Sequence, residues 1–175
     1  FFVERDVKDA IVSHYHHFKK KYFFVRDFNL YYFLIGRLKA FEILSFNRRY
    51  SDAFGKKNLF KYSDMKSDFE SVVLSISSAL GLRLLSLEEI SVIESNTSIK
   101  KMRRDLLLGK SKYYPSVSKG RDSLIRKGEV GSWVNYFTES QYKDIQRIEK
   151  NKNSFVLRII YFFFFTLRRR LFRIE

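Results

Sequence analysis

The hydrophobic period changes between Phe1 and Phe18, and that change constrains the fold most. Phe1 to Glu4 is a short apolar run suited to a buried strand. After Arg5 and Asp6, the residues Val7, Ala10, Ile11, His14, Tyr15 and Phe18 follow helical spacing, with Asp6 placed to cap the helix. Strand, tight turn and helix in succession form the opening of an α/β unit. In open α/β sheets ligands collect at the carboxyl ends of the strands, where Arg5 stands.

The same alternation continues downstream. Leu30, Phe33, Leu34, Leu38 and Phe41 suit a helix from Asn29 to about Arg48, followed by a looser basic stretch through Lys57. Asn58 to Tyr62, "NLFKY", reads as another short strand. Phe69, Val72, Val73, Ile76 and Leu80 form an amphipathic stripe closed by Gly81, a residue suited to a left-handed helix end. Ser86 and Glu89 have capping-box spacing, and "NTSIKKMRRD" reads as helical again. Residues 109–123 are turn-rich and basic and read as a mobile loop. Phe137, Thr138 and Gln141 read as staple, N-cap and third residue of a further helix. The predicted class is α/β, a parallel sheet flanked by helices.

One domain part is expected over residues 1–150, with a basic aromatic tail over 151–175 whose role is unknown. The tail's apolar run is broken by Arg158 and is shorter than the roughly 20 residues a membrane helix requires, so no transmembrane segment is expected. A core-docking strand or helix, or the product of a damaged reading frame, is the expectation; a membrane-surface segment stays open.

Composition narrows the function classes. A hydrophobic share of 45% in 175 residues excludes wholesale disorder and allows a real core. The formal net charge of +15 favours polyanionic partners: phosphorylated nucleotides, nucleic acid, acidic glycans or anionic lipid. The absence of cysteine excludes disulfides, thiolate metal sites and a Cys nucleophile, and fits a reducing, cytoplasmic location. The chain begins at Phe1 without a visible signal peptide, and it is expected to be N-terminally truncated.

Two constellations carry chemistry. In "RKGEVG", Arg126 can fork two hydrogen bonds onto phosphate oxygens and Lys127 adds a point charge. Gly128 leaves its N–H open to close approach by an anion, and Gly131 permits a turn with positive φ. In "ERDVKDAIVSHY", Arg5 leaves the strand end and Ser13 follows about two helical turns later, so both could meet one anion. Taken alone, these stretches are better explained as a solvated basic turn and a serine bonded to its own helix. His14 is expected in the core, and His16 and His17 on the surface, none of them catalytic. The histidine spacing supports no metal site.

"VERDVKDAIVSHYHHF", "FKYSDMK", "NTSIKKM" and "IRKGEVGSWVNYFT" occur in this order. Together they resemble the C-terminal two-thirds of the sulfotransferases that use 3′-phosphoadenosine 5′-phosphosulfate (PAPS), over about residues 1–148. The resemblance implies a P-loop-like sulfotransferase fold and transfer of a sulfuryl group to a hydroxyl or amine of a small-molecule or glycan acceptor. It implies that Arg5 and Ser13 bind the 3′-phosphate, with Arg126, Lys127 and Gly128 closing over it. Tyr62 would meet the adenine, Thr97 and Ile99 would line its pocket, and Trp133 would pack beside the nucleotide loop. Departures are Val7 for a proline, Ile99 for a phenylalanine, and Ser132 and Val134 for Asp and Lys. A Gly-rich phosphate loop followed by Lys, which would grip the 5′-phosphosulfate, does not occur in this sequence, so the chain alone is expected to be inactive. A catalytically inactive nucleotide-binding remnant is the first alternative. A basic nucleic-acid-binding module is the second, and no nucleic-acid partner is expected.

Overall fold

Asp6 sets the start of the first helix. Its Oδ1 accepts from the backbone N–H of Lys8 at 2.8 Å and of Asp9 at 3.3 Å, taking up donors that a helix start leaves without partners. The computed structural model describes residues 1–21, 25–55, 59–110, 128–151, 156, 159–163 and 166–167. Strands β1 (Phe2–Glu4) and β2 (Leu59–Lys61) form a small parallel two-stranded sheet, and the other elements are helical. The chain divides into two compact units, Phe2–Leu59 with Gly131–Glu175, and Phe60–Val130 with Phe1.

The first of these units is built on aromatic packing. Helix α1 (Val7–Lys21) buries Ile11, Val12 and Tyr15. Helix α2 (Phe28–Tyr31) starts on Asp27, whose Oδ1 accepts from Leu30 N at 2.9 Å. A π-type turn over Tyr32–Gly36 then leads into α3 (Arg37–Phe54). The expected helix end near Arg48 is too early. No breaker occurs before Gly55, Arg48 pairs with Asp52 one turn on at 3.5 Å, and the helix stops only where Gly55 takes φ +69°.

Helix α8 (Glu139–Lys150) opens with the expected capping box, Thr138 and Gln141 each bonding the other's backbone N–H. It brings Ile145 and Ile148 into the core beside Tyr31, Tyr32 and Ile35. Asp144 on α8 fixes the pairing: it accepts from Tyr32 Oη at 2.9 Å and from Arg37 Nη2 at 2.9 Å. Burial first, then the Asp144 carboxylate, pushes the Tyr32 hydroxyl above its usual pKa. Residues 156, 159–163 and 166–167 are helical, and the Tyr161 ring stacks on Phe41 at 4.2 Å, so the tail docks as a helix at this point.

The unit Phe60–Val130 has a thinner interior. Its helices are α4 (Asp64–Ser67), α5 (Phe69–Ala79), α6 (Leu87–Thr97) and α7 (Ile99–Leu107). Asp68 caps α5, and Gly81 at φ +67° ends it with Leu82 N bonded to Ser77 O at 2.9 Å. Ser86 and Glu89 form the expected capping box of α6. "NTSIKKMRRD" is interrupted: Ser98 is extended, and its Oγ accepts from Lys101 N to begin α7. The competition between a mid-helix serine and a serine cap is won by the cap. Phe60, Val72, Ile90 and Leu106 are buried, whereas Leu84, Leu87 and Leu107 are exposed. Among the described residues, no helix is long and apolar enough to cross a membrane. The loop expected over 109–123 lies outside the described residues from residue 111 onward.

Candidate functional site

Gly128 is the tightest point among the expected site residues. Its φ is +61°, and a Cβ there would run into Ile99 Cδ1 and lie 3.1 Å from Tyr62 Oη. The Tyr62 hydroxyl donates to Gly128 O at 3.1 Å, closing the turn against the residue that follows β2. Tyr62, Ile99 and Gly128 are thus brought together within the unit Phe60–Val130. The space that glycine leaves is filled by protein: an aromatic hydroxyl on one side, an aliphatic side chain on the other. Ile99 reaches this position because Ser98 breaks the chain between α6 and α7.

Thr97 sits differently. It is the last residue of α6, exposed, and its Oγ1 donates back to Ile93 O at 2.9 Å. Its hydroxyl is spent on its own helix. Arg126 and Lys127, the two expected cations of the loop, lie outside the described residues.

Arg5 and Ser13 belong to the other unit. Arg5 is half-buried directly after β1, and Ser13 is half-buried in the middle of α1. Ser75 and Thr166 bond back to the carbonyl four residues earlier. Ser13 does not: among the described residues its Oγ has no hydrogen-bond partner, which leaves the hydroxyl available to solvent or a ligand.

Sequence reasoning passed over Asp9. It is 2% exposed, and its carboxylate accepts from Gly131 N at 2.7 Å, Trp133 N at 3.1 Å and Ser132 Oγ at 3.4 Å. Gly131 takes φ +79°, as the turn reading expected, and thereby turns its N–H and that of Trp133 toward one point. The only local signal was an acid in the first turn of a helix, which ordinarily complements the helix dipole and nothing more. Trp133 is half-buried, its ring stacked on Tyr142 at 5.4 Å with 2° between planes, and Lys8 Nζ lies 4.8 Å above its centre.

Two of the three histidines pair with tyrosine hydroxyls. His14 Nδ1 shares a 2.8 Å hydrogen bond with Tyr31 Oη. His16, expected on the surface, is half-buried because its Nε2 pairs with Tyr136 Oη at 2.8 Å, while His17 is exposed as expected. Among the described residues, no group of three or more His, Cys, Asp or Glu could hold a metal ion.

The chain resembles known proteins over most of its length. It is 28% identical to sulfotransferase 1C2 of Rattus norvegicus over 159 residues, which is 86% of this chain and 53% of that protein. It is 26% identical to cytosolic sulfotransferase 6 of Arabidopsis thaliana over 170 residues, 87% of this chain and 51% of that one. The chain therefore spans about half the length of these curated relatives. Among solved structures, mouse sulfotransferase SULT7A1 complexed with PAP superposes with a TM-score of 0.67 at 24% identity, covering 92% of this chain and 61% of that one. That likeness gives the fold: a sulfotransferase α/β architecture, here helix-rich with a small sheet. Residues 2–154 match the sulfotransferase domain family, and the chain belongs to it.

Proposed function

We propose that the protein is a PAPS-dependent sulfotransferase that moves a sulfuryl group to an acceptor hydroxyl or amine, and that this chain holds the adenine and the 3′-phosphate of the donor. The observation that carries this reading is the Gly128 turn, pinned between Tyr62 and Ile99 with no room for a Cβ. A backbone held so closely next to an aromatic ring and an aliphatic side chain suits the edge of a flat base. The preceding residues, Arg126 and Lys127, would then reach a phosphate on the ribose beside it. Arg5 and the uncommitted hydroxyl of Ser13 are assigned to the same phosphate, and Thr97 contributes backbone and methyl surface to the base pocket. When bound, the donor supplies the sulfuryl group. The residues of this chain bind and orient it through its adenine and its 3′-phosphate.

The mouse sulfotransferase is complexed with PAP, which supports a nucleotide of this type here. Residues 1–150 are assigned to the sulfotransferase domain and 151–175 to a tail. The acceptor is a small molecule or glycan, and a cytoplasmic location belongs to the same reading.

Titration calorimetry tests it. Adenosine 3′,5′-bisphosphate should bind far more tightly than AMP, and Arg126→Ala should weaken the bisphosphate alone by about 1.5–3 kcal/mol per charged hydrogen bond lost. Equal affinity for the two nucleotides would sink the assignment. Steep salt dependence with no nucleotide preference would favour a nucleic-acid module instead. The chain by itself is expected to transfer no sulfuryl group from PAPS.

A further inference from the structure

The geometry points to a further ligand site in this chain, for a straight-chain monocarboxylate of about ten to twelve carbons. It lies along α3, wholly inside the unit Phe2–Leu59 with Gly131–Glu175, and does not depend on the nucleotide reading above.

Leu38, Phe41, Glu42, Ser45 and Arg49 follow one another at helical spacing and so form a single stripe of α3. The tail meets that stripe at Tyr161, whose ring stacks on Phe41, and a cavity of about 460 Å³ lies beside the pair. Ligand pockets run from about 300 to 1,000 Å³, so the space suits a small amphiphile. A rise of about 1.5 Å per residue separates Leu38 from Arg49 by roughly 16 Å along the helix, the extended length of about a dozen carbons.

The stripe is graded along its length. Leu38, Phe41 and Tyr161 offer hydrocarbon and ring surface at one end, and Arg49 stands at the other. The two acids of α3 are committed elsewhere: Glu42 pairs with Lys39 at 2.8 Å, and Asp52 with Arg48 at 3.5 Å. Arg49 has no ion pair among the described residues. The cavity's carboxylate is thus neutralised while its guanidinium is not, which decides the sign of the ligand's head group.

Ser45 stands one turn before Arg49. Its Oγ is buried and has no hydrogen-bond partner among the described residues, a costly state for a hydroxyl. Ser75 and Thr166 avoid it by bonding the carbonyl four residues back. A carboxylate drawn to Arg49 brings an acceptor to Ser45's end of the cavity. Buried methylenes supply the affinity, and Arg49 supplies sign and direction.

The experiment is titration calorimetry of the full chain with decanoate, octanoate and decyltrimethylammonium, each below its micelle concentration. Wild type, Arg49→Gln and Leu38→Asn are compared, with circular dichroism to verify folding. Decanoate should bind about tenfold or more tighter than octanoate, because each buried methylene is worth about fourfold. Decyltrimethylammonium should bind at least about tenfold more weakly than decanoate. Arg49 is exposed, so Arg49→Gln should fold; it should weaken decanoate about fivefold and change decyltrimethylammonium by less than about twofold. Leu38→Asn should weaken decanoate more than octanoate, since the longer chain alone reaches that end. Decanoate binding untouched by Arg49→Gln would be capture by the basic surface at large and overturns the site. Equal affinity for the two decyl probes overturns its sign, and no decanoate binding overturns it outright. Should Leu38→Asn not fold, the Arg49→Gln comparison decides by itself.

Discussion

The two units of the chain are held together by different means. In Phe2–Leu59 with Gly131–Glu175, the rings of Tyr15, Phe28, Tyr31 and Tyr32 lie edge to face or tilted against one another, and Phe137 closes the cluster from the side of α8. In Phe60–Val130, four short helices share a few buried side chains, and Leu84 and Leu107 stand about four-fifths exposed at 82% and 78%. Local stability follows the density of buried apolar contact, so the first unit is the stiffer. The division places Arg5, Ser13 and Trp133 on the rigid side and the Tyr62–Gly128–Ile99 contact on the pliable one.

Substitution by alanine is the strongest way to break this contrast. Phe28→Ala should cost about 3–5 kcal/mol, because the surrounding rings cannot collapse into the gap, whereas Ile90→Ala should stay near the low end of its range at about 2 kcal/mol. Urea denaturation of both variants measures the difference, and equal losses would refute the ranking.

The next effect sharpens the comparison within one loop. Gly128→Ala combines a left-handed backbone with a collision against Ile99 and should cost about 2–4 kcal/mol. Gly131→Ala meets nothing within 4 Å and carries only the backbone strain, about 1–2 kcal/mol. Thermal melts of the pair should separate accordingly, and the reverse order would show that the Tyr62–Ile99 cradle yields freely.

Smaller still is Tyr32→Phe. It leaves the ring packed but removes the bond to Asp144, which keeps Arg37, so about 1–2 kcal/mol is expected in the same melts.

The smallest effect is in acid, on the thin unit. Glu89 is held down to about 2 from 4.5, first by Arg83 and then by the Ser86 amide. Its folded pKa lies below the unfolded one, so its contribution is complete above pH 4.5 and drains away as the pH falls toward 2. Amide exchange at the first turn of α6 should quicken across that window, and a flat profile would show that the exposed pair holds nothing.

What could be read in the sequence was local chemistry. Asp6, Ser86 with Glu89, Thr138 with Gln141 and Gly81 announced helix ends correctly because caps are settled within a few residues. Helix α3 runs past Arg48 because a basic composition does not stop a helix, and no breaker occurs before Gly55. The break at Ser98 was missed because a serine reads the same inside a helix as at its cap until a partner appears. At the site, the turn with its positive φ at Gly131 was legible. The closeness of Tyr62 to Gly128, 66 residues apart, came only through family resemblance. Asp9 stood inside a quoted motif with no role, since its donors lie 122 to 124 residues away.

The Trp133 stack has a practical consequence. The chain contains one tryptophan and eleven tyrosines, and that single indole belongs to the turn bonded by Asp9, stacked on Tyr142 beneath a lysine ammonium. Light at the red edge of aromatic absorption excites it alone. The molecule thus carries an optical reporter whose emission follows the state of one turn, with no label attached.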